Sequence, residues 1–139
     1  MGHLHFFWRQ AQPVPGTAAP AVSYPACEWR DPMAQLDAAQ TAQHPLNRFV
    51  CSWLTSDMAD VARCDEVLHA LAKVQQQQLP VWFADGDAFG VDFTPSGVQF
   101  NQSNVGPEDT AWWNLPEARF ALHTVQDALR QWRTFLATT

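Results

Sequence analysis

The chain has 139 residues, of which 47% are hydrophobic, so it is long enough and apolar enough to form one folded domain and is not disordered. Its net charge of −6 disfavours binding to nucleic acid or to anionic membranes. No run of about 18 apolar residues predicts a membrane span, and the N-terminus lacks the pattern of a signal peptide, so we expect a cytoplasmic protein. The three cysteines, at positions 27, 51 and 64, form no C-x-x-C pair and are predicted to be reduced thiols.

The N-terminal part of the chain is predicted to hold one strand and a long connection. Over residues 3–9, Leu4, Phe6 and Trp8 occupy every second position, which is the period of a strand. Four prolines follow within residues 10–26, and regular structure is not expected there because proline has a fixed φ and no backbone N–H. We predict a surface connection for this stretch.

Three further elements are predicted before residue 80. Asp31 followed by Pro32 is typical of a helix start, and a short helix is expected toward residue 45. Residues 49–54 alternate between two sets of mostly apolar side chains, which predicts a central strand that is apolar on nearly both faces. Residues 57–76 then predict the strongest internal helix, with a cap at 55–57 and an apolar stripe.

The centre of the chain predicts a three-stranded antiparallel meander over residues 81–101. Apolar residues recur at every second position in three short runs, as they do in half-buried strands. These residues are Val81, Phe83, Phe89, Val91, Phe93, Val98 and Phe100. The residues between the runs, 85–87 and 94–97, are rich in Asp, Gly and Pro and are typical of tight turns.

A C-terminal helix is predicted over residues 124–137 as the cover for the apolar face of this sheet. Val125, Leu129 and Trp132 lie on one stripe at helical spacing. We therefore predict an α+β fold, a single domain over residues 1–139 in which the helices at 57–76 and 124–137 cover an antiparallel sheet.

Negative charge is concentrated in the middle of the chain. Residues 57–118 carry ten acidic side chains against Arg63 and Lys73, and such a surface attracts basic proteins and speeds their association. Two adjacent tryptophans near these acids either anchor a partner or plug the open end of the sheet. The predicted partner-binding residues are Asp85, Asp87, Glu108, Asp109, Trp112 and Trp113.

The sequence contains no catalytic or metal-binding motif that we recognise. The pattern D-x-D-x-x-G at residues 85–90 resembles the start of a calcium loop, but Phe89 and Ser96 stand where such a loop needs oxygen ligands. His3 and His5 share a strand face without a third ligand. We therefore predict no catalytic residue, no metal and no cofactor; an enzyme whose site is assembled from distant residues stays an open alternative.

Three short motifs accompany this layout: W-x-x-D-G at residues 82–86, G-V-x-F at 97–100 and A-L-x-x-W-x-x-F-L at 128–136. Together with the capped helix before them, they resemble small immunity proteins of bacterial polymorphic toxin systems, such as contact-dependent growth inhibition. The resemblance covers residues 53–137. Small bacterial α/β proteins of the YacL type are similar in the order of their elements.

The resemblance implies a non-enzymatic cytoplasmic protein that binds and neutralises a cognate toxin domain. A basic protein, such as a nuclease, is the expected toxin because a site that holds phosphates is basic. We expect a monomer that makes no direct contact with nucleic acid or membrane. The alternative is an acidic secretion chaperone, which would be a dimer that holds an unfolded segment of its client.

Overall fold

Two antiparallel sheets and four α-helices are seen in a computed structural model that describes residues 2–10, 15–16, 22–103 and 114–138. The predicted α+β class is confirmed. One sheet pairs β1 (His3–Gln10) with β2 (Ser23–Arg30); the other has, in order, β3 (Trp82–Asp85), β4 (Phe89–Thr94), β5 (Gly97–Gln102) and β6 (Arg119–Phe120). The helices are α1 (Ala38–Gln43), α2 (Ser52–Asp57), α3 (Val61–Gln75) and α4 (Leu122–Ala137). None of these described helices is long and apolar enough to cross a membrane.

The first predicted strand is confirmed as β1, but the predicted connection at residues 10–26 ends earlier than expected. Residues 23–26 belong to β2, and Pro25 pairs with Trp8. A proline fits here because each strand of a two-stranded ribbon has one side without a ladder, where a missing N–H breaks no hydrogen bond. Most of the remaining connection lies outside the described residues.

The helix start predicted at Asp31 is confirmed, but the helix is interrupted. The Asp31 carboxylate accepts the N–H of Met33 at 3.0 Å, and a single 3₁₀ turn follows. This turn ends at Gln35, whose φ of 52° takes the chain out of the helix. Asp37 then starts α1: its side chain accepts the N–H of Gln40 at 2.7 Å, and the Gln40 side chain accepts the N–H of Asp37 at 3.0 Å.

The strand predicted over residues 49–54 is wrong, because the chain is helical there. A π-helical turn, Leu46–Cys51, leads directly into α2. The buried side chains of this helical stretch include Phe49, Val50, Trp53 and Leu54. Two apolar neighbours followed by two more one turn later face the same side of a helix, yet the same short run also fits the alternation of a strand.

The long internal helix is confirmed as α3, but it begins later than predicted. Its N-cap is Asp60, whose carboxylate accepts the N–H of Ala62 at 3.2 Å. The predicted cap at residues 55–57 instead forms the end of α2. The buried stripe of α3 contains Cys64, Val67, Ala70, Leu71 and Val74.

The predicted meander is confirmed as β3, β4 and β5, and β6 pairs with the far side of β5. Helix α4 begins at Leu122, slightly before the predicted start, and covers the apolar face of the sheet together with α3. Trp132 of α4 is fully buried. Phe6 of β1 packs against it with 5.7 Å between ring centroids, so the two-stranded ribbon shares the same core.

Candidate protein-binding surface

The structure places two of the predicted binding residues at the turn that joins β3 to β4. Asp85 ends β3 and Asp87 lies in the turn, and both residues are exposed. The other four, Glu108, Asp109, Trp112 and Trp113, lie outside the described residues. Their role in a joint surface with Asp85 and Asp87 therefore stays a prediction.

The turn is held by Asp57, which the sequence pattern assigned to a helix cap. Its two carboxylate oxygens accept the backbone N–H groups of Ala88 and Phe89, each at 3.1 Å. A Cβ on Gly86 would lie 2.5 Å from the same carboxylate, so the turn requires glycine at this point. The helix dipole disfavours a carboxylate at the end of α2, and the two hydrogen bonds to the turn offset this cost.

Replacing Asp57 by alanine is expected to lower the free energy of unfolding by about 2–3 kcal/mol, because two backbone N–H groups lose a charged acceptor. Urea unfolding measures the change. The control variant, Asp60→Ala, removes the exposed cap of α3 and is expected to cost about 1 kcal/mol. Equal losses for the two variants would contradict the anchoring role of Asp57.

Val81 and Phe83 alternate with the period of a half-buried strand, but the structure turns both of them outward. Val81 is 51% exposed and Phe83 is 53% exposed, whereas Trp82 between them is half-buried against the core. The register explains the difference: Trp82 lies opposite Phe93, so Phe83 falls opposite Asp92 on the outer face. A shift of one residue in pairing exchanges the two faces of a strand, so the partner strand decides which face is buried.

The Phe83 ring lies over the backbone of Gly90. A Cβ on Gly90 would come within 2.9 Å of the ring, so a larger residue would displace it. Because Gly90 has no side chain, the Phe83 ring packs directly against its backbone. One side of Phe83 is supported in this way while about half of the residue stays in water.

Phe83 has a carboxylate residue opposite it, another two positions along its strand and a third in the adjoining turn. Asp92 lies opposite it on β4, Asp85 follows it by two positions on the same face of β3, and Asp87 lies in the adjoining turn. Among the described strands, β3 is at the edge of its sheet. We call Val81, Phe83, Asp85, Asp87 and Asp92 the acidic edge.

Five arginines of the described residues pair with acids outside the acidic edge. Arg133 donates two hydrogen bonds, of 2.8 and 3.2 Å, to Asp65, and this contact holds the pKa of the Asp65 carboxyl below its usual range. The other pairs are Arg30 with Glu28, Arg48 with Glu117, Arg63 with Glu66 and Arg130 with Asp127. Within the described part of the chain, the carboxylates of Asp85 and Asp92 form no ion pair, and the Arg63 guanidinium donates to the backbone carbonyl of Asp85 at 3.4 Å.

The outer face of the four-stranded sheet is covered by other residues where it lies over β5. Gln99 and Asn101 are buried there. The Gln99 amide donates to the Leu115 carbonyl at 3.1 Å, and the Asn101 side-chain oxygen accepts the N–H of Asn114 at 2.8 Å. Residues 114–115 therefore lie on this half of the sheet, while the side chains of the acidic edge remain accessible over β3 and β4.

No three His, Cys, Asp or Glu side chains are grouped as a metal site would require in the part of the chain that the structure describes. The rings of His3 and His5 lie 5.6 Å apart on β1. The turn around Asp87 is organised by backbone hydrogen bonds to Asp57. The D-x-D-x-x-G pattern at residues 85–90 thus belongs to a hairpin turn.

No match to this chain was found among models of protein families, curated proteins or solved structures. The resemblance to immunity proteins therefore stays a prediction.

Proposed function

We propose that the protein is a cytoplasmic immunity protein that binds a basic toxin domain through the acidic edge and blocks it, without catalysing a reaction. The observation that carries this proposal is Phe83, a large aromatic residue that is 53% exposed between Asp85 and Asp92. An aromatic centre with a polar rim is the composition that interfaces between proteins favour.

Phe83 serves as the anchor of the proposed interface. Burying the exposed half of a phenylalanine contributes about 1 kcal/mol, and Val81 adds a second exposed apolar contact. Because the Phe83 ring already packs against Gly90 before a partner binds, its side chain loses little conformational freedom on association. The acidic edge is thus suited to bury its apolar centre against a partner.

The backbone of β3 offers a second means of binding. In the described sheet β3 pairs with β4 on one side only. The Asp85 carbonyl of this strand already accepts a hydrogen bond from the Arg63 guanidinium at 3.4 Å; we propose that the N–H and C=O groups left unpaired on the other side of β3 bind an extended segment of a partner. Asp85 lies beside this edge and favours a segment that carries positive charge.

The charge of the acidic edge defines the class of partner. A nuclease binds the phosphates of its substrate with basic side chains. Carboxylates of an inhibitor can pair with the same basic side chains and so compete with the nucleic acid. Asp85 and Asp92 supply such carboxylates on the strands that carry Phe83 and its neighbour, and Asp87 supplies another in the turn between them. A folded, basic nuclease domain is therefore the proposed partner.

The test measures how fast the purified toxin domain encoded in the neighbouring reading frame associates with this protein at low salt. Combining Asp85→Lys with Asp87→Lys is expected to slow association by about tenfold or more, because attraction between opposite charges is lost. The control combines Glu28→Lys with Asp127→Lys, the same change of charge on β2 and α4. The difference between the two variants should shrink as salt is added.

Phe83→Ala is expected to speed dissociation about fivefold with little change in the association rate, because it removes buried contact and leaves the charge unchanged. An association rate that Asp85→Lys and Asp87→Lys leave unaltered would remove the acidic edge from the interface. A dimer in light scattering that binds unfolded peptides, and not a folded toxin domain, would favour the secretion chaperone instead.

A further inference from the structure

Two cysteines from distant parts of the sequence meet beside the two-stranded ribbon. Cys27 lies on β2 and Cys51 on the π-helical turn, 24 residues further along, and their Sγ atoms are 3.1 Å apart. A disulfide bond is about 2.05 Å long. The two sulfurs therefore need to approach by only about 1 Å to form one.

Asn47 holds the two backbones next to each other. Its side-chain oxygen accepts the N–H of Trp29 at 2.7 Å, and its amide donates to the Trp29 carbonyl at 2.9 Å. Trp29 is on the same face of β2 as Cys27, and Asn47 is one helical turn before Cys51. The thiol pair is thus positioned by a hydrogen-bonded contact between strand and helix.

The thiol pair lines a cleft through which a small polar reagent can reach it. The cleft has a volume of about 220 Å³. Its other lining residues are Asn47, Ser52, Thr55 and Ser56. Cys27 is half-buried and Cys51 is 3% exposed, so a reagent in the cleft reaches Cys27 first.

We propose that Cys27 and Cys51 form a redox-active dithiol site that hydrogen peroxide oxidises to an intramolecular disulfide. The Cys27 thiolate attacks one peroxide oxygen, so that an S–O bond forms, the O–O bond breaks and hydroxide leaves. The Cys51 sulfur then attacks the Cys27 sulfur, so that the S–S bond forms, the S–O bond breaks and a second hydroxide leaves. The two thiol protons convert both hydroxides to water, and the sulfurs supply the two electrons that reduce the peroxide.

The surroundings of the site make this reaction slow and selective. The hydrogen bond with Cys51, burial and the charge of Glu28 raise the pKa of the Cys27 thiol above its usual range, and the thiolate is the reactive form. Cys64 is fully buried, donates to the Met58 carbonyl at 3.3 Å and does not line the cleft. The site therefore responds to sustained oxidation, and Cys64 takes no part.

The disulfide links the ribbon to the helical part of the fold. It closes a segment of 24 residues that contains α1, and such a cross-link restricts the unfolded chain. Oxidation is therefore expected to raise the unfolding temperature by roughly 5–10 °C. This expectation does not depend on toxin binding.

Peptide mapping tests the proposal directly, because trypsin places the three cysteines in different peptides, residues 10–30, 49–63 and 64–73. The intact protein is treated with hydrogen peroxide, its remaining thiols are alkylated in denaturant, and it is digested without reduction for mass spectrometry. The expected product joins peptides 10–30 and 49–63, comes from monomeric protein, leaves Cys64 alkylated, and disappears after treatment with dithiothreitol.

Three variants connect the cross-link to the change in stability. Cys27→Ser and Cys51→Ser are each expected to abolish both the cross-link and the rise in unfolding temperature, whereas Cys64→Ala keeps both. Mapping of the unaltered protein decides the matter even if a variant fails to fold. A cross-link to Cys64, a cross-link between two copies, or full alkylation of both Cys27 and Cys51 after peroxide treatment would overturn the proposal.

Discussion

Replacing Trp132 by alanine is expected to remove about 4–5 kcal/mol from the free energy of unfolding. The side chain is fully buried, and its ring lies 5.7 Å from that of Phe6 and 5.8 Å from that of Phe135. Truncation leaves a cavity where α4 meets the two-stranded ribbon. Because a domain is stable by only about 5–15 kcal/mol, this variant approaches complete unfolding.

Trp132→Phe separates the hydrogen bond of the indole from its packing. The indole N–H donates to the Met58 carbonyl at 2.8 Å, in the segment between α2 and α3. Phenylalanine keeps an aromatic ring but cannot donate to the Met58 carbonyl. That carbonyl then keeps only its hydrogen bond from the Cys64 thiol, at 3.3 Å. We expect a loss of about 2 kcal/mol, which combines the broken bond with the smaller ring.

Denaturant unfolding followed by circular dichroism measures both Trp132 variants. Trp8→Phe is the matched control, because Trp8 is 42% exposed and stacks on Phe135 at 5.6 Å from the ribbon side. Its expected cost is below about 1 kcal/mol. If Trp132→Phe cost no more than Trp8→Phe, the bond to Met58 would have no measurable part in stability.

The second large effect is expected from Asn47→Asp, which replaces one side-chain NH₂ group by oxygen. The Asn47 amide donates to the carbonyls of Trp29 and Thr41, at 2.9 and 2.7 Å. In the aspartate both bonds are lost and a negative oxygen faces two carbonyl oxygens. We expect the free energy of unfolding to fall by about 3 kcal/mol, measured by denaturant unfolding.

The damage caused by Asn47→Asp should be local, because Asn47 links β2 and α1 to the π-helical turn. Hydrogen exchange is expected to become faster over residues 23–43 while α3 and α4 keep their protection. Gln43→Glu makes the same change from amide to acid at the exposed end of α1, with an expected cost within about 0.5 kcal/mol. Equal costs for the two variants, or faster exchange throughout the chain, would contradict this linking role.

Sequence patterns were sufficient where the partner of an element is its neighbour in the chain. The alternation in β4 and β5, with turn residues 95–96 between them, predicted the observed pairing because strands joined by a tight turn lie side by side. The stripe of α4 was equally clear, since helical spacing over several turns is a long signal.

The same reasoning failed where a short apolar run fits two periods. Residues 49–54 alternate like a strand, but Phe49 and Trp53 are buried on one side of a helix. Two prolines illustrate a related limit. Pro32 starts a 3₁₀ turn as predicted, whereas Pro25 lies within β2, because β2 borders only one other strand.

The candidate surface was predictable in part. Turn composition and charge identified Asp85 and Asp87, which the structure places at the β3–β4 turn. The exposure of Phe83 and the position of Asp92 beside it follow from strand register. The anchoring of the turn by Asp57 follows from a contact across 31 and 32 residues, which no local pattern encodes.

The sequence by itself determined the α+β class, the meander, the C-terminal helix and the excess of carboxylates, because these depend on composition and on periods within a few residues. Only the tertiary structure decided that Phe83 faces solvent, that Asp57 holds the hairpin, and that Cys27 meets Cys51. Each of these depends on which distant segments pack together, and that packing is settled by the burial of the whole core.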